Sequence, residues 1–317
     1  MNIAIFGANG FIGSHLSHYL NTKKNFNVYC FIREKSDISR IEKLKRKYRS
    51  YNLKILRYKD ENLEKEDLNL NKLNIDIVLN LISYGVLYNE NNEDKAKYIN
   101  IEIPKKIFKI SNNNNVKHFI HFGSSQEYEN LSDQINELSI RYPTRIYGRT
   151  KAAGCDILLE HESLYKNTNL LIIRPFSVFG ELENENKLLP SLIKSLINNT
   201  ALKLTKGYQE RNYLYINDFN KIILRILKKI DYLKFNNYNI GSINNITIIK
   251  IAKIIENLLN SKNYDCLLWG SLKYRNSEIL TFKNDLSRLQ KELKINLSYD
   301  IRIGIKKLIN SYLKDQC

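Results

Sequence analysis

The sequence predicts an α/β fold in which a doubly wound parallel sheet is followed by a smaller, mostly helical lobe. Three observations predict it. Short, continuous apolar runs alternate with amphipathic stretches through the first half of the chain. Three glycines at three-residue spacing, Gly7, Gly10 and Gly13, stand between the first apolar run and the first amphipathic stretch. Beyond Pro175 the texture changes to helical periodicity with isolated short strands. Strands buried on both faces are apolar throughout, and strands alternating with helices build a parallel sheet covered on both sides.

Taken in order, NIAIFG is the first strand and SHLSHYLNT the helix after the glycines. NVYCFI, LKILRY, IDIVLNLI and KHFIHF follow as strands, being short and rich in β-branched or aromatic residues. ISRIEKLKRKY and the segment from Asn100 to Ser111 read as helices between them, and the run Asn112–Asn115 as a polar turn. A long helix spans about Thr144 to Tyr165, and LLIIRPFSV is a further strand. Helices then dominate, over Leu188–Asn198, Ile216–Lys229, Ile246–Leu259 and Ile301–Leu313, with YNIG as a short strand. The expected division is residues 1–175 and 176–317, with no flexible linker or internal repeat, so a packed, ligand-holding cleft is expected near residue 175.

Composition narrows the function classes. The 317 residues are 43% hydrophobic and 11% aromatic, enough for a large core. No apolar run reaches the roughly 18 residues that span a bilayer, and IAIFG follows the start without a basic region and apolar signal core. A cytoplasmic protein with no membrane partner is expected. Cys30, Cys155, Cys266 and Cys317 are far apart and form no C-x-x-C pair, so free thiols are expected and no metal site. The net charge of +17 comes from lysines scattered among asparagine and isoleucine, with no basic stripe. That pattern reads as solvated surface and not as a nucleic-acid footprint, and it suits phosphate-bearing small molecules.

The glycine stretch explains itself chemically. A strand ending at Phe6, then Gly7-Ala8-Asn9-Gly10-Phe11-Ile12-Gly13, then a helix, is an arrangement that holds a pyrophosphate. The first glycine makes the sharp turn, the second lets backbone approach the phosphates, and the third lets helix pack on sheet. The spacing is G-x-x-G-x-x-G, a departure from the usual G-x-G-x-x-G, but its place at the first strand–helix junction predicts a Rossmann-type dinucleotide site. The second strand ends in Phe31-Ile32-Arg33-Glu34-Lys35-Ser36. Arg33, helped by Lys35, matches a 2′-phosphate, which favours NADP(H) over NAD(H), whereas Glu34 is the residue there that reaches a ribose.

Two later segments supply catalytic groups. In YGRTK, Tyr147 and Lys151 lie four apart within the long helix, on one face. A lysine ammonium beside a phenol lowers its pKa, so Tyr147 is expected to exchange a proton near neutral pH. HFGSSQEYEN places Ser124 and Ser125 at the end of the fifth strand, where a hydroxyl can hydrogen-bond a substrate oxygen. The order of glycine loop, serine after the fifth strand and Tyr-Lys in the next helix gives the individually weak motifs their weight.

On these residues the chain resembles the extended short-chain dehydrogenase/reductase superfamily, the NAD-dependent epimerase/dehydratase group of nucleotide-sugar enzymes, almost end to end. GANGFIGSHL looks like its glycine motif and YGRTK its Tyr-Lys pair; IIRPFSVFG, GYQERNYLYINDF, YNIGS and YRNSEI are similar to its later segments. The resemblance implies that Tyr147 is the proton donor or acceptor, that Lys151 binds the nicotinamide ribose, and that Ser124 is the catalytic hydroxyl with Ser125 its neighbour. It also implies dinucleotide contacts from Gly7, Asn9, Gly10, Phe11, Ile12, Gly13, Leu81, Ser83 and Pro175. Substrate contacts are implied at Ser83, Tyr84, Ser124, Ser125, Gln126, Ser177, Arg211 and Arg275, with the two arginines on the diphosphate or nucleotide. Ser177 stands where the family often has asparagine, and Asp218 reads as a helix cap.

The reaction is narrower still. The family's dehydratases carry a glutamate two residues before the position of Tyr128; here that residue is Gln126, which cannot ionise. Glu127 points elsewhere if the segment runs extended. IREKSDISRI and NLISYG resemble the CDP-abequose/CDP-paratose synthase group, implying an NADPH-dependent 4-ketoreductase of a CDP-linked deoxy sugar in surface polysaccharide synthesis. An NAD-dependent 4-epimerase is the alternative, and a non-catalytic dinucleotide-sensing or RNA-associated protein the alternative of another class. The resemblance further implies a homodimer formed through IEIPKKIFKI and AAGCDILLEHESLY.

Overall fold

A computed structural model describes residues 1–50, 53–87, 89–128, 134–274, 280–297 and 299–314. In chain order the elements are β1 (Asn2–Phe6), α1 (Phe11–Asn21), β2 (Asn27–Arg33), α2 (Ser39–Tyr48), β3 (Lys54–Tyr58), α3 (Asp60–Glu64), β4 (Ile77–Asn80) and α4 (Glu93–Lys97). A π-helical turn, Tyr98–Glu102, joins α4 to α5 (Ile103–Asn113), which precedes β5 (His118–Phe122), α6 (Ile146–Glu162), β6 (Asn169–Pro175), β7 (Ser177–Phe179) and α7 (Leu188–Asn198). Then come β8 (Leu202–Lys203), β9 (Glu210–Arg211), β10 (Tyr213–Tyr215), α8 (Ile216–Lys229), β11 (Asn237–Ile240), β12 (Ile246–Thr247) and α9 (Ile248–Leu259). The chain closes with β13 (Leu267–Leu268), α10 (Ser287–Leu293) and α11 (Ile301–Lys314).

The chain divides into two compact units. The first comprises Met1–Glu129, Ser139–Pro175 and Ile223–Asn239; the second Asn130–Leu138, Phe176–Ile222 and Ile240–Cys317. The first is built on a seven-stranded sheet in the order β11-β6-β5-β4-β1-β2-β3. Strands β1 to β6 run parallel, with Phe6 opposite Phe31 and Asn80, and His121 opposite Asn80 and Ile172. The order reverses between β1 and β4, so the loops after these strands open the crevice where ligands of such sheets bind. The core explains the apolar strands: Ile3, Ile5, Phe6, Val78, Leu79, Phe119 and Ile120 are all fully buried. One sheet face is sealed by Ile103, Ile107 and Phe108 of α5 and by Cys155 and Leu158 of α6.

The second unit carries two-stranded pairings, β7 with β10, β9 with β12 and β8 with β13. Two expectations change here. LLIIRPFSV is not one strand: β6 ends at Pro175, which lacks an N–H to continue the ladder, and β7 pairs with β10. The helix expected from Ile246 starts at Ile248, because Thr247 adopts an extended conformation and its hydroxyl accepts from the Lys250 N–H as an N-cap. Cys30 and Cys155 are buried free thiols, and Cys266 is a half-buried one. No helix among the described residues is long and apolar enough to cross a membrane.

Candidate active site

The glycine turn is built as its spacing requires. Gly7 has φ +77°, and a Cβ there would sit 2.9 Å from the Ile82 nitrogen and the Leu81 carbonyl carbon. A Cβ on Gly13 would overlap the Gly7 carbonyl oxygen, and one on Gly10 would lie 3.2 Å from the same oxygen. Gly10 is the N-cap of α1 and offers no side-chain cap, so the first-turn N–H groups of Phe11, Ile12 and Gly13 remain free to meet an anion. Leu81, after β4, donates its N–H to the Phe6 carbonyl at 3.0 Å, which ties the two loops at the strand reversal. These residues fit a dinucleotide pyrophosphate.

At the tip of β2, Arg33, Glu34 and Lys35 are all exposed. A turn from the Ser36 N–H to the Arg33 carbonyl, 2.9 Å, follows the strand. A cation that sequence reasoning missed lies nearer the glycines: Arg40, at the start of α2, donates Nη1 to the Asn9 carbonyl at 3.0 Å. Burial lowers its pKa, opposed by Asp37. The serine-, isoleucine- and arginine-bearing stretch after β2 held this signal, but only the fold folds it back onto the loop.

Four elements surround the Tyr-Lys pair. Ser124 and Ser125 follow β5 and are buried, and residues Ser125–Tyr128 form a 3-10 turn. The Ser124 side chain bears on the Tyr147 phenol from one side, favouring its ionised form, and Ser124 Oγ accepts from the Gln126 N–H at 3.1 Å. Gly148 lets α6 approach this turn, since a Cβ there would run into the Gln126 carbonyl. On the other side, Gly85 (φ +95°) brings the loop after β4 to within 3.4 Å of Tyr147 Cβ, measured from its own would-be Cβ. That loop is held by Glu90, whose carboxylate accepts from the Gly85 and Leu87 N–H groups at 3.2 and 3.0 Å. Asn100, in the π-helical turn, accepts from the Tyr84 N–H at 2.9 Å and donates to the Tyr84 carbonyl and the Thr150 hydroxyl. The Ser83–Tyr84 stretch is thereby anchored to α6, with Ser83 exposed and Tyr84 half-buried.

The electrostatics correct one expectation. Tyr147 is not made acidic: burial pushes its phenol up to about 12, against the opposing effect of Ser124. Lys151, fully buried on the same helix, is itself lowered by burial. Its Nζ lies 3.5 Å from His121 Nε2, and His121 Nδ1 lies 3.1 Å from the Asn80 side-chain amide. Burial, then Lys151 and Arg174, hold His121 well below its usual range, so the ring is neutral.

The segment bearing Glu127 is a 3-10 turn and not extended. The turn directs the Glu127 carboxylate inward, where it is completely buried. It accepts from Arg174 Nε at 2.7 Å, from Arg141 Nη1 at 3.3 Å and from the Ser124 N–H at 2.8 Å. Tyr128 stacks beneath Arg174, 5.6 Å from ring centroid to guanidinium carbon, and donates to Asn239 Oδ1 at 3.2 Å. Glu127 is thus a fixed counter-charge that holds the backbone of Ser124 in place. His121 and Arg174 carried no signal beyond being polar residues in apolar segments.

Pro175 is buried at the end of β6. In the second unit, Ser177 donates its N–H to the Asn212 carbonyl at 3.1 Å, and Arg211 is half-buried in β9, its Nη1 donating to the Glu210 carbonyl at 2.8 Å. Asp218 pairs with Lys221 at 2.8 Å within α8. Arg275 lies outside the described residues. No group of three or more His, Cys, Asp or Glu among the described residues is placed to hold a metal ion.

Comparison with known proteins agrees with this architecture. The model of the NAD dependent epimerase/dehydratase family matches residues 3–241. A dTDP-D-glucose 4,6-dehydratase from Dictyostelium discoideum is 32% identical over 275 residues, covering 81% of this chain; the match takes in only 62% of that relative's length. A CDP-abequose synthase from Salmonella muenchen is 23% identical over 320 residues, 97% of each chain. The solved UDP-glucose 4-epimerase of Thermotoga maritima, with UDP-glucose, superposes with a TM-score of 0.86 at 17% identity over the whole of both chains.

Proposed function

The chain belongs to the NAD dependent epimerase/dehydratase family, and from that premise we propose that it uses NADPH to reduce the C4 keto group of a CDP-linked 4-keto-deoxy sugar. The observation that carries this reading is that Tyr147 and Lys151 lie one turn apart on α6 with the Ser124 side chain bearing on the buried phenol. A phenol held at about 12 keeps its proton at neutral pH. Tyr147 is therefore poised to donate a proton to an oxygen that gains negative charge, which is what reduction of a ketone demands. Ser124 holds that oxygen by hydrogen bond, its backbone fixed by Glu127. The nicotinamide, when bound, supplies the hydride. The residues that would hold the dinucleotide are the Gly7–Gly13 turn, Leu81, Ser83, Pro175 and Lys151, with Arg33, Lys35 and Arg40 facing a 2′-phosphate. Ser83, Tyr84, Ser125, Gln126, Ser177, Arg211 and Arg275 are assigned to the sugar nucleotide.

Two observations weigh against dehydration. Gln126 occupies the position of the dehydratase base, and the neighbouring Glu127 is committed to Arg174 and Arg141. A 4-epimerase working through tightly held NAD is favoured by one feature, the exposed Glu34 carboxylate at the tip of β2, which suits ribose hydroxyls. The full assembly is proposed as a homodimer through α5 and α6, which a sedimentation mass of one chain would refute. Mass spectrometry of the dinucleotide released on unfolding separates the readings. Exchangeable NADP, with NADPH consumed on adding a CDP-4-keto-3,6-dideoxy sugar, is expected of the reductase. Stoichiometric bound NAD without net consumption would replace it by the epimerase, and binding without any turnover by a sensor.

A further inference from the structure

We propose that Lys151 is held as an uncharged amine, and that His121, with its ring proton placed by Asn80, is the positioning residue that holds it so. The placement starts from a backbone group. The Ile82 N–H can only donate, and it meets Asn80 Oδ1 at 3.3 Å. That contact turns Asn80 Nδ2 toward His121, 3.1 Å from Nδ1. An amide nitrogen can only donate, so Nδ1 is the acceptor and carries no proton. Burial, with Arg174 nearby, keeps the ring neutral. Its one proton is therefore on Nε2, and Nε2 faces Lys151 Nζ at 3.5 Å.

An N–H aimed at Nζ suits an amine and opposes an ammonium. The amine accepts from Nε2–H through its lone pair, whereas the ammonium has only donors and would face another donor. The surroundings lend the charge little support. Lys151 is 1% exposed, so water does not solvate Nζ, and among the described residues only His121 makes a hydrogen-bonding contact with it. Two neighbours favour the ammonium, Cys155 on α6 and Glu127 on the 3-10 turn. Burial pushes the Cys155 thiol up, so it is uncharged, and the Glu127 carboxylate is already paired with Arg174 and Arg141. Arg174 on β6 bears on His121, and Tyr147 shares α6 with Lys151. Burial of Lys151 itself acts in the same direction as the N–H, lowering its pKa. His121 thus sets which form of Lys151 stands one turn from the Tyr147 phenol, and an amine there does not acidify it.

The test needs no substrate, so its outcome is independent of the reductase reading. In protein carrying 15N-labelled histidine, ring-nitrogen NMR correlations show which nitrogen of each imidazole is protonated, and the His121 ring is identified by its loss in His121→Phe. A protonated Nε2 with a bare Nδ1 is expected at neutral pH; a protonated Nδ1, alone or with Nε2, overturns the proposal. In protein carrying 13Cε-labelled lysine, the Lys151 signal is identified by its loss in Lys151→Arg. At neutral pH it should stand at the amine position while the exposed lysines stand at the ammonium position, and a Lys151 signal among the ammonium resonances overturns the proposal. His121→Phe removes the N–H without supplying an acceptor, so the Lys151 midpoint should rise by about one pH unit, tenfold more ammonium at a given pH. A midpoint that His121→Phe leaves unchanged or lowers overturns the assignment of that role to His121. Should His121→Phe not fold, His121→Gln supplies the ring assignment, and both measurements on the parent protein still decide.

Discussion

Replacing Glu127 by Gln should destabilise the first unit more than any surface change, and its size follows from the groups left behind. The carboxylate is completely buried and faces two guanidinium groups and a backbone N–H. Arg141 retains a second carboxylate, Asp156, whereas the buried Arg174 pairs with no other acidic side chain among the described residues. Burial works against the Arg174 charge, and Glu127 more than compensates, so its pKa is raised. Breaking a buried pair from one side costs about 3–5 kcal/mol. At about 2–4 °C per kcal/mol for a domain of this size, Glu127→Gln should melt about 6–20 °C below the unmodified protein. Adding Arg174→Met removes the stranded charge and should recover about 1–3 kcal/mol of the loss. Thermal unfolding followed by circular dichroism measures both variants. A Glu127→Gln melting point within about 2 °C of the parent, or no recovery in the double variant, would refute the reasoning.

Three further outcomes are expected. Gly13→Ala drives a Cβ into the Gly7 carbonyl oxygen and to 3.0 Å from Ala8 Cα, both backbone atoms. It should cost about 1–3 kcal/mol in stability and weaken dinucleotide binding measured by fluorescence quenching, which an unperturbed dissociation constant would contradict. Glu183 in the second unit is pushed by burial from an ordinary 4.5 up to about 8. A raised folded-state pKa means that stability is greatest below 4.5 and is lost as pH climbs through about 8. Glu183→Gln should therefore gain on the parent by at most about 1.4 kcal/mol per pH unit across that window in urea titrations, and a pH-independent difference would contradict this. Arg40→Ala should weaken NADP(H) more than NAD(H), by roughly tenfold in the ratio of dissociation constants, if the 2′-phosphate meets Arg40; an equal loss for both would assign Arg40 to the glycine loop alone.

Local pattern carried most of the fold. The β1–glycine–α1 junction was legible because glycine spacing, strand apolarity and helix periodicity are all sequence-local, and the observed contacts of Gly7 and Gly13 match the roles they imply. The helix bearing Tyr147 and Lys151 runs from Ile146 to Glu162, close to the expected span. The turn into residues 177–179 was not legible, since whether β6 continues past Pro175 depends on which strand offers the next ladder. Burial decided the rest. The four-residue spacing of Tyr147 and Lys151 says nothing of desolvation, which outweighs the opposing effect of Ser124 and sends the phenol upward. The 3-10 turn over Ser125–Tyr128 was not legible, so neither was the buried pairing of Glu127 with Arg174 and Arg141. Arg40 and His121 meet their partners across 31 and 30 residues, distances over which a single sequence carries no contact information.

The central claim is that the Tyr147 hydroxyl delivers the proton when a sugar ketone is reduced. Single-turnover decay of nicotinamide absorbance, with NADPH-loaded protein mixed with a CDP-4-keto-3,6-dideoxy sugar, tests it most directly. Tyr147→Phe should bind NADPH as the parent does yet slow the decay by about 10²–10⁴-fold. Equal decay rates in the parent and in Tyr147→Phe would contradict the account.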